Sequence, residues 1–357
     1  MKKILSLLAS ASLIATSASA VVACNKGGGD SIGLLISNYN NAYFQNMMKA
    51  GKEYAKEKGY TLNTYDSKGT VDGSLDVENV QASMTKGDKA IIINPANVKQ
   101  NKAITPALKA NIPVINIDTE YDSAVGERGA AAFVSEQTEA SNQMFDAIYK
   151  KIYGEAPSET NKSKKVKVYA MWSNQDNDAE QKRFKGFVLD NADWIQLVNR
   201  PGTGYHQGSV AKENQNTGDG AGDTLTNEWN GDNSAKNAHV IWAGNDPMAL
   251  GMKKAIDLSP SMKTWFSAQE DGTNLRKGFI SGFDGSEDVA SDLGKWKETE
   301  RNHIYITVKQ EYKNIVAAAI DKAIELIKSK DPAPKNFTES TKVPASLMFA
   351  PGEGTKK

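Results

Sequence analysis

Short apolar runs alternate with helix-period segments along nearly the whole chain, at a spacing of about 30 residues, which is the length of a strand–helix–strand unit. This alternation restricts the chain to parallel strands joined by right-handed helical crossovers. The apolar runs at 32–37, 60–65, 90–94 and 112–117 predict strands. Between them, Met47, Met48, Gly51, Tyr54 and Ala55 mark the inner face of a helix that starts near Phe44 and stops at Gly59. A helix opened by Asp72 is expected to turn Leu75, Val77, Val80 and Met84 inward, and a shorter one runs over 103–109.

A second unit of the same kind begins after about residue 134, with a helix over 138–153 and a polar, Lys-rich connection over 155–165. Strands follow at 166–172, 194–198, 239–243, 279–283 and 304–308, with helices over 179–189 and 247–256. The segment 312–328 carries Ile315, Val316, Ala319, Ile320, Ala323, Ile324 and Ile327 at helical period, the strongest amphipathic signal present. The tail from 331 is rich in Pro and Lys, with a final strand at 345–349. The stretch 202–234, rich in Gly, Asn and Asp, reads as a long solvated loop.

The N-terminus sets the compartment. Lys2 and Lys3 precede an apolar, Ser- and Ala-rich run to Ala20 that is too short to span a bilayer. It ends in Val21-Val22-Ala23-Cys24, the pattern of a lipoprotein signal peptide cut after residue 23, with Cys24, the chain's single cysteine, as the acylated residue. Residues 24–30 then form a flexible tether. What remains suits two units of about 150 residues, held by packing without disulfides. Lys plus Arg and Asp plus Glu balance at 43 each, so no global field favours nucleic acid.

In parallel sheets, ligands sit beyond the carboxyl ends of the strands. Those ends carry Ser37, Asn38, Asn40, Asn41, Tyr43 and Phe44, then Asn94, Asp118, Asn174, Asp176, Asn177, Asp178, Asn245, Asp246, Asp284 and Gln310. Any one of these could be a helix cap or turn residue. The set as a whole suits a polyhydroxylated ligand, whose hydroxyls donate to carboxylates and exchange bonds with amides while its C–H faces pack on rings. Other chemistries are poorly supplied. His206, His239 and His303 are scattered, no nucleophile elbow or phosphate loop occurs, and 214–228 lacks the spacing of a calcium loop. No metal, cofactor or enzyme activity is expected.

The motifs ISNYNNAYF (36–44), IINP (92–95), INID (115–118), AGNDPMALG (243–251) and GFDG (282–285), in this order, resemble the ribose- and galactose-binding proteins of ABC importers, which are type I periplasmic binding proteins. The resemblance covers residues 31–350. It implies two Rossmann-like, three-layer α/β lobes joined by a three-segment hinge near Ser135, Gln310 and Val343. The first lobe would be 31–134 with 311–342, the second 135–310 with 343–350, and 351–357 a tail. It further implies a lipid-anchored, monomeric sugar receptor on the extracytoplasmic face of the membrane, serving an ABC permease. The alternatives are a nucleoside or furanosyl signal in the same fold, or a surface antigen.

By the same resemblance Ser37, Asn41 and Asn94 would line the first wall. Tyr43 and Phe44 would stack on the sugar, and Asp118 would accept a hydroxyl. Asp178, Lys182, Asn245, Asp284 and Gln310 would contact it from the second lobe and hinge, and Tyr205 would replace a stacking ring there. Two arginines of the ribose-type pattern are expected to be lost, one to Thr119 and one, at the start of a helix, to Gln181 or Lys182, removing planar donors.

Overall fold

The computed structural model describes residues 30–70, 72–211, 218–231, 234–267 and 278–352. Cys24, the leader and most of the tether lie outside the described residues.

The first lobe is built from β1 (Ser31–Ile36), α1 (Ala42–Glu57), β2 (Thr61–Asp66), α2 (Ser74–Lys86), β3 (Ala90–Ile93), α3 (Thr105–Lys109), β4 (Val114–Ile117) and β5 (Ala131–Ser135). The second holds α4 (Gln137–Tyr153), β6 (Val166–Trp172), α5 (Asp178–Phe184), β7 (Ile195–Leu197), β8 (Ser209–Val210), α6 (Gly218–Asn230) and β9 (Val240–Ala243). It continues through α7 (Asp246–Leu258), α8 (Pro260–Ser267), β10 (Phe279–Asp284), α9 (Glu287–Leu293) and β11 (Ile304–Lys309). Then α10 (Tyr312–Lys328) and β12 (Thr341–Val343) return to the first sheet, and β13 (Ser346–Phe349) closes the second.

The first sheet has the order β12-β5-β4-β3-β1-β2 and is parallel throughout. The second has the order β13-β11-β10-β9-β6-β7, with β8 beside β6, and only β13 runs antiparallel among the described strands. The first five strands of the first sheet, and β6, β7, β9, β10 and β11 of the second, follow the doubly wound order 2-1-3-4-5.

Alternating side chains feed opposite faces, as the pleat requires. Ile32, Leu34 and Ile36 join Ile92 and Ile115 under α1 and α10, whereas Leu35, Ile91 and Ile93 pack under α2 and α3. In the second lobe Val166, Val168, Ala170 and Trp172 face α4 and α5, while Tyr169 and Met171 face α6 and α7. Both faces of each sheet are therefore covered, which explains why the strands read as continuous apolar runs.

Among the described residues the backbone passes between lobes at three places: Ser135 to Gln137, Gln310 to Tyr312, and Val343 to Ser346. At the crossings, the Glu136 N–H donates to Val343 O (3.1 Å) and the Tyr312 N–H to Gln310 O (3.0 Å).

The largest departure from the sequence expectation falls within 202–234. Residues 218–230 form α6, which buries Ala221, Leu225 and Trp229 against α7. The glycines that suggested a loop instead allow close helix contact. A Cβ on Gly251 would lie 1.8 Å from Gly218 O, and one on Gly222 2.7 Å from Gly251 O. In α2 the inner face is Asp76, Val80 and Ser83, and Val77 is 41% exposed. Buried polar bonds set that rotation: Asp76 accepts from Ser67 Oγ (2.6 Å) and the Ala96 N–H (2.9 Å), and Ser83 Oγ donates to Asp88 (2.7 Å). Gly33 makes room for it, since a Cβ there would lie 2.2 Å from Ser83 Oγ. Strands β5 and β12 and helices α8 and α9 were not expected; each is short and weakly periodic.

Gly251→Ala is expected to force α6 off α7 and to lower stability by about 1–3 kcal/mol, read as a loss in urea midpoint with little change in far-UV circular dichroism.

Candidate functional site

Parallel order delivers the carboxyl ends of the central strands to one edge of each sheet, and the two edges face each other. A cavity of about 500 Å³ lies between them, within the range of small-molecule sites. The first lobe lines it with Ser37, Asn38, Asn41, Tyr43 and Phe44 after β1, Lys68 to Thr70 after β2, Asn94 after β3, and Asp118 and Thr119 after β4. The second lobe supplies Ser173, Asn174, Asn177, Glu180 and Arg183 after β6, Asn245 after β9 and Asp284 at the end of β10.

Local chemistry fixes these groups. Asn41 caps α1, its Oδ1 accepting from the Tyr43 N–H (2.9 Å), and this orients the ring pair that follows. The Tyr43 and Phe44 rings lie 5.2 Å apart at 67°, both buried. Asn94 ties three strand ends together: its Oδ1 accepts from the Ser37 N–H (3.3 Å), and its Nδ2 reaches Ile117 O and Asp118 Oδ2 (3.4 Å each). Asn177 and Asn245 cap α5 and α7 through bonds from the Glu180 and Met248 N–H groups.

Asp118 and Asp284 both adopt positive φ, at 61° and 131°, conformations that cost a non-glycine residue about 1–3 kcal/mol and gather at binding sites. Asp118 Oδ2 accepts from Asn94 and Thr119, whereas its buried Oδ1 and the buried Tyr43 hydroxyl make no close hydrogen bond, and the Tyr43 hydroxyl interacts with the Asp118 carboxylate only loosely. Buried acceptors and donors so weakly paired are costly unless something else satisfies them.

Arg183, 5% exposed, is the central cation. It donates to Gln137 Oε1 and to Gly244 O (2.7 Å), reaches Asp284 Oδ1 at 3.5 Å, and lies over the Phe283 ring at 4.1 Å. Burial raises the pKa of Asp118, Asp284 and Glu180, and Arg183 partly offsets each shift. Asp284 rises well above the usual range, chiefly through burial, with Asp246 and Asp118 adding like charge.

Ser37, Asn41, Tyr43, Phe44, Asn94, Asp118, Asn245 and Asp284 thus share one cavity wall or the other. Asp178, Lys182 and Gln310 do not line it. Gln310 lies behind Asp284, its Nε2 donating to Asp284 Oδ1 (2.8 Å). Lys182 pairs with Asp178 (2.6 Å) and with Glu120 (3.3 Å). Burial lowers its pKa, but these two carboxylates outweigh that and hold it above the ordinary lysine value. Tyr205 packs edge-on to Trp172 at 6.5 Å, outside the lining.

A guanidinium does stand in the second-lobe wall, at Arg183, one position beyond Lys182, and Thr119 lines the wall beside Asp118. Helical spacing carried this signal. With Asn177 as cap, Ala179, Glu180 and Arg183, at i, i+1 and i+4, fall on the buried side of the helix, while Asp178 and Lys182, one turn apart, share the neighbouring face. Glu180 turns inward to accept from the Ser173 (2.9 Å) and Asn174 (3.3 Å) N–H groups. Among the described residues no cluster of three or more His, Cys, Asp or Glu could hold a metal ion, and no helix is long and apolar enough to cross a membrane.

Residues 32–331 match the family model of the periplasmic binding protein domain. The Ribose import binding protein RbsB of Escherichia coli (strain K12) is 32% identical over 121 residues, 34% of this chain and 38% of that protein, so the chain matches well under half the length of that relative. The Ribose import binding protein RbsB of Haemophilus influenzae is 24% identical over 268 residues, covering 72% of this chain and 74% of that protein. An ABC transporter solute binding protein from Bacillus halodurans C-125, solved with bound myo-inositol, superposes with a TM-score of 0.68 at 18% identity, covering 92% and 98% of the two chains. A galactofuranose binding protein gives 0.69 at 17% identity, covering 91% and 96%. At these identities the structural likeness is one of fold.

The buried carboxylates set a pH signature. A carboxyl whose folded pKa is raised makes the folded state bind more protons than the unfolded one, so its contribution to stability falls as pH rises from the unfolded value towards the raised one. Asp284→Asn is therefore expected to raise the melting temperature at pH 7, with the gain shrinking as pH falls towards the unfolded carboxylate range near 3.8, followed by circular dichroism across pH.

Proposed function

Because this chain belongs to the periplasmic binding protein domain family, as a type I binding protein of the ribose/galactose kind, we propose that it is the solute receptor of an ABC importer. In this reading it binds a monosaccharide-sized polyol between its lobes and hands it to a membrane permease. The observation that carries the ligand class is the buried Asp118 Oδ1 and Tyr43 hydroxyl, side by side without a close hydrogen bond, facing a second-lobe wall of amides and carboxylates around Arg183. A sugar hydroxyl can donate to Asp118 while accepting from a neighbouring amide, and its pair on the far wall is Asp284. The C–H face of the ring packs on Tyr43 and Phe44.

The stacking rings in the lining come from the first lobe, and among the described residues the wall opposite carries no aromatic ring. A planar base would gain more from a ring on each side, so this lining favours a sugar over a nucleoside. Closure follows from differential contact. A ligand touching both walls stabilises the closed arrangement by the contacts the open one lacks, with bending at the three crossings. The ribose import names of the relatives and the sugar and inositol ligands of the similar structures support this class. Thr119, in place of a planar donor beside Asp118, supports a hydroxyl pattern other than that of plain ribose.

The Val-Val-Ala-Cys sequence supports attachment through a diacylated Cys24 on the extracytoplasmic face, two chains being needed for stable anchoring. The receptor then acts as a tethered monomer.

Thermal shift against pentoses, hexoses, inositols and nucleosides is expected to single out a monosaccharide or cyclitol. A shift with nucleosides alone would overturn the ligand class. With the active compound, Asp118→Ala should weaken binding about 10–100-fold by calorimetry, the worth of one charged hydrogen bond. For the anchor, Cys24→Ser is expected to move the expressed protein from the membrane fraction to the medium.

A further inference from the structure

A chain of alternating charges crosses the cleft outside the cavity lining. Arg128 and Glu120 belong to the first lobe, with Nη1 and Oε2 3.9 Å apart. Arg128 is itself fixed, donating through Nη2 to Phe337 O (2.7 Å) with its guanidinium over the Phe337 ring at 4.0 Å. Lys182 and Asp178 belong to the second lobe, one helical turn apart on α5, with Nζ and Oδ2 2.6 Å apart. Lys182 Nζ also reaches across to Glu120 Oε1 at 3.3 Å. The side chains of Glu120 and Lys182 are only 17% and 30% exposed.

We infer that Glu120–Lys182 is an electrostatic latch that sets the balance between closed and open lobes before any ligand binds. Its two ends stand beside the cavity residues: Glu120 follows Asp118 and Thr119, and Lys182 precedes Arg183. Opening the cleft separates Glu120 from Lys182 but leaves each with an oppositely charged neighbour on its own lobe. Neither charge is stranded, so the latch can release without the large penalty of an isolated buried ion. The same arrangement keeps it weak, in the range of a partly exposed pair and sensitive to salt. A bound ligand would then add its contacts to a closed population already raised by the latch.

The test needs no sugar, so failure of the ligand class proposed above leaves it intact. One dye is placed on each lobe of the protein, and the closed fraction is read by single-molecule energy transfer without ligand. The closed-to-open ratio is expected to fall as salt is raised to about 1 M, and to fall up to about fivefold in low salt for Glu120→Gln or Lys182→Met. Each variant should have lost the salt response. The double variant should be no more open than either single one, and Lys182→Arg should retain closure. Melting curves on the same samples establish that each variant is folded. A ligand-free protein that is open in low salt, a ratio unmoved by either substitution, or additive effects in the double variant would overturn the latch.

Discussion

The cleft is organised by one buried guanidinium. Arg183 sits where Asp118 arrives from one lobe and Asp284 and Glu180 from the other, and it offsets the burial of each carboxyl. Its remaining donors reach Gly244 O, at the end of β9, and Gln137, at the first crossing between lobes. The wall, the hinge and the carboxylates are therefore fastened to one planar group, which a lysine could not replace because several directions must be met at once. Without that cation the polar set at the strand ends would be an accumulation of buried like charge.

The site is arranged at the expense of local comfort. Asp118 and Asp284 hold positive φ, three carboxyls are buried against one arginine, and a buried acceptor and hydroxyl make no close hydrogen bond. The apolar clusters on both faces of each sheet absorb these costs. Strain kept where a ligand would relieve it, on a scaffold held by packing elsewhere, is the usual balance between stability and binding. Closure fits the same scheme. The crossings are three backbone segments, and at the edge of the cleft Glu120 of one lobe meets Lys182 of the other.

Much was legible in the sequence because the relevant periods are local. Alternating runs gave the strands and crossovers, the 312–328 stripe gave α10, and polar residues at strand ends gave Asn94, Asp118, Asn245 and Asp284 as neighbours in one cavity. What escaped had its cause elsewhere in the chain. Helix α6 looked like a loop because its glycines serve contact with Gly251, some 30 positions away by the spacing of a strand–helix unit. Val77 looked inward until Asp76 and Ser83 turned α2 through bonds to Ser67, Ala96 and Asp88.

The sequence by itself determined the doubly wound α/β class, the two-part division and the polar character of the cleft, since these follow from hydrophobic period and from what stands after each strand. The tertiary structure alone decided which polar residues face the cavity. The face of α5 that turns inward is chosen by the Asn177 cap and by Glu180 reaching the Ser173 backbone. A one-residue rotation exchanges Arg183 for Lys182, and so exchanges a guanidinium inside the site for an ammonium that bridges the lobes at its edge.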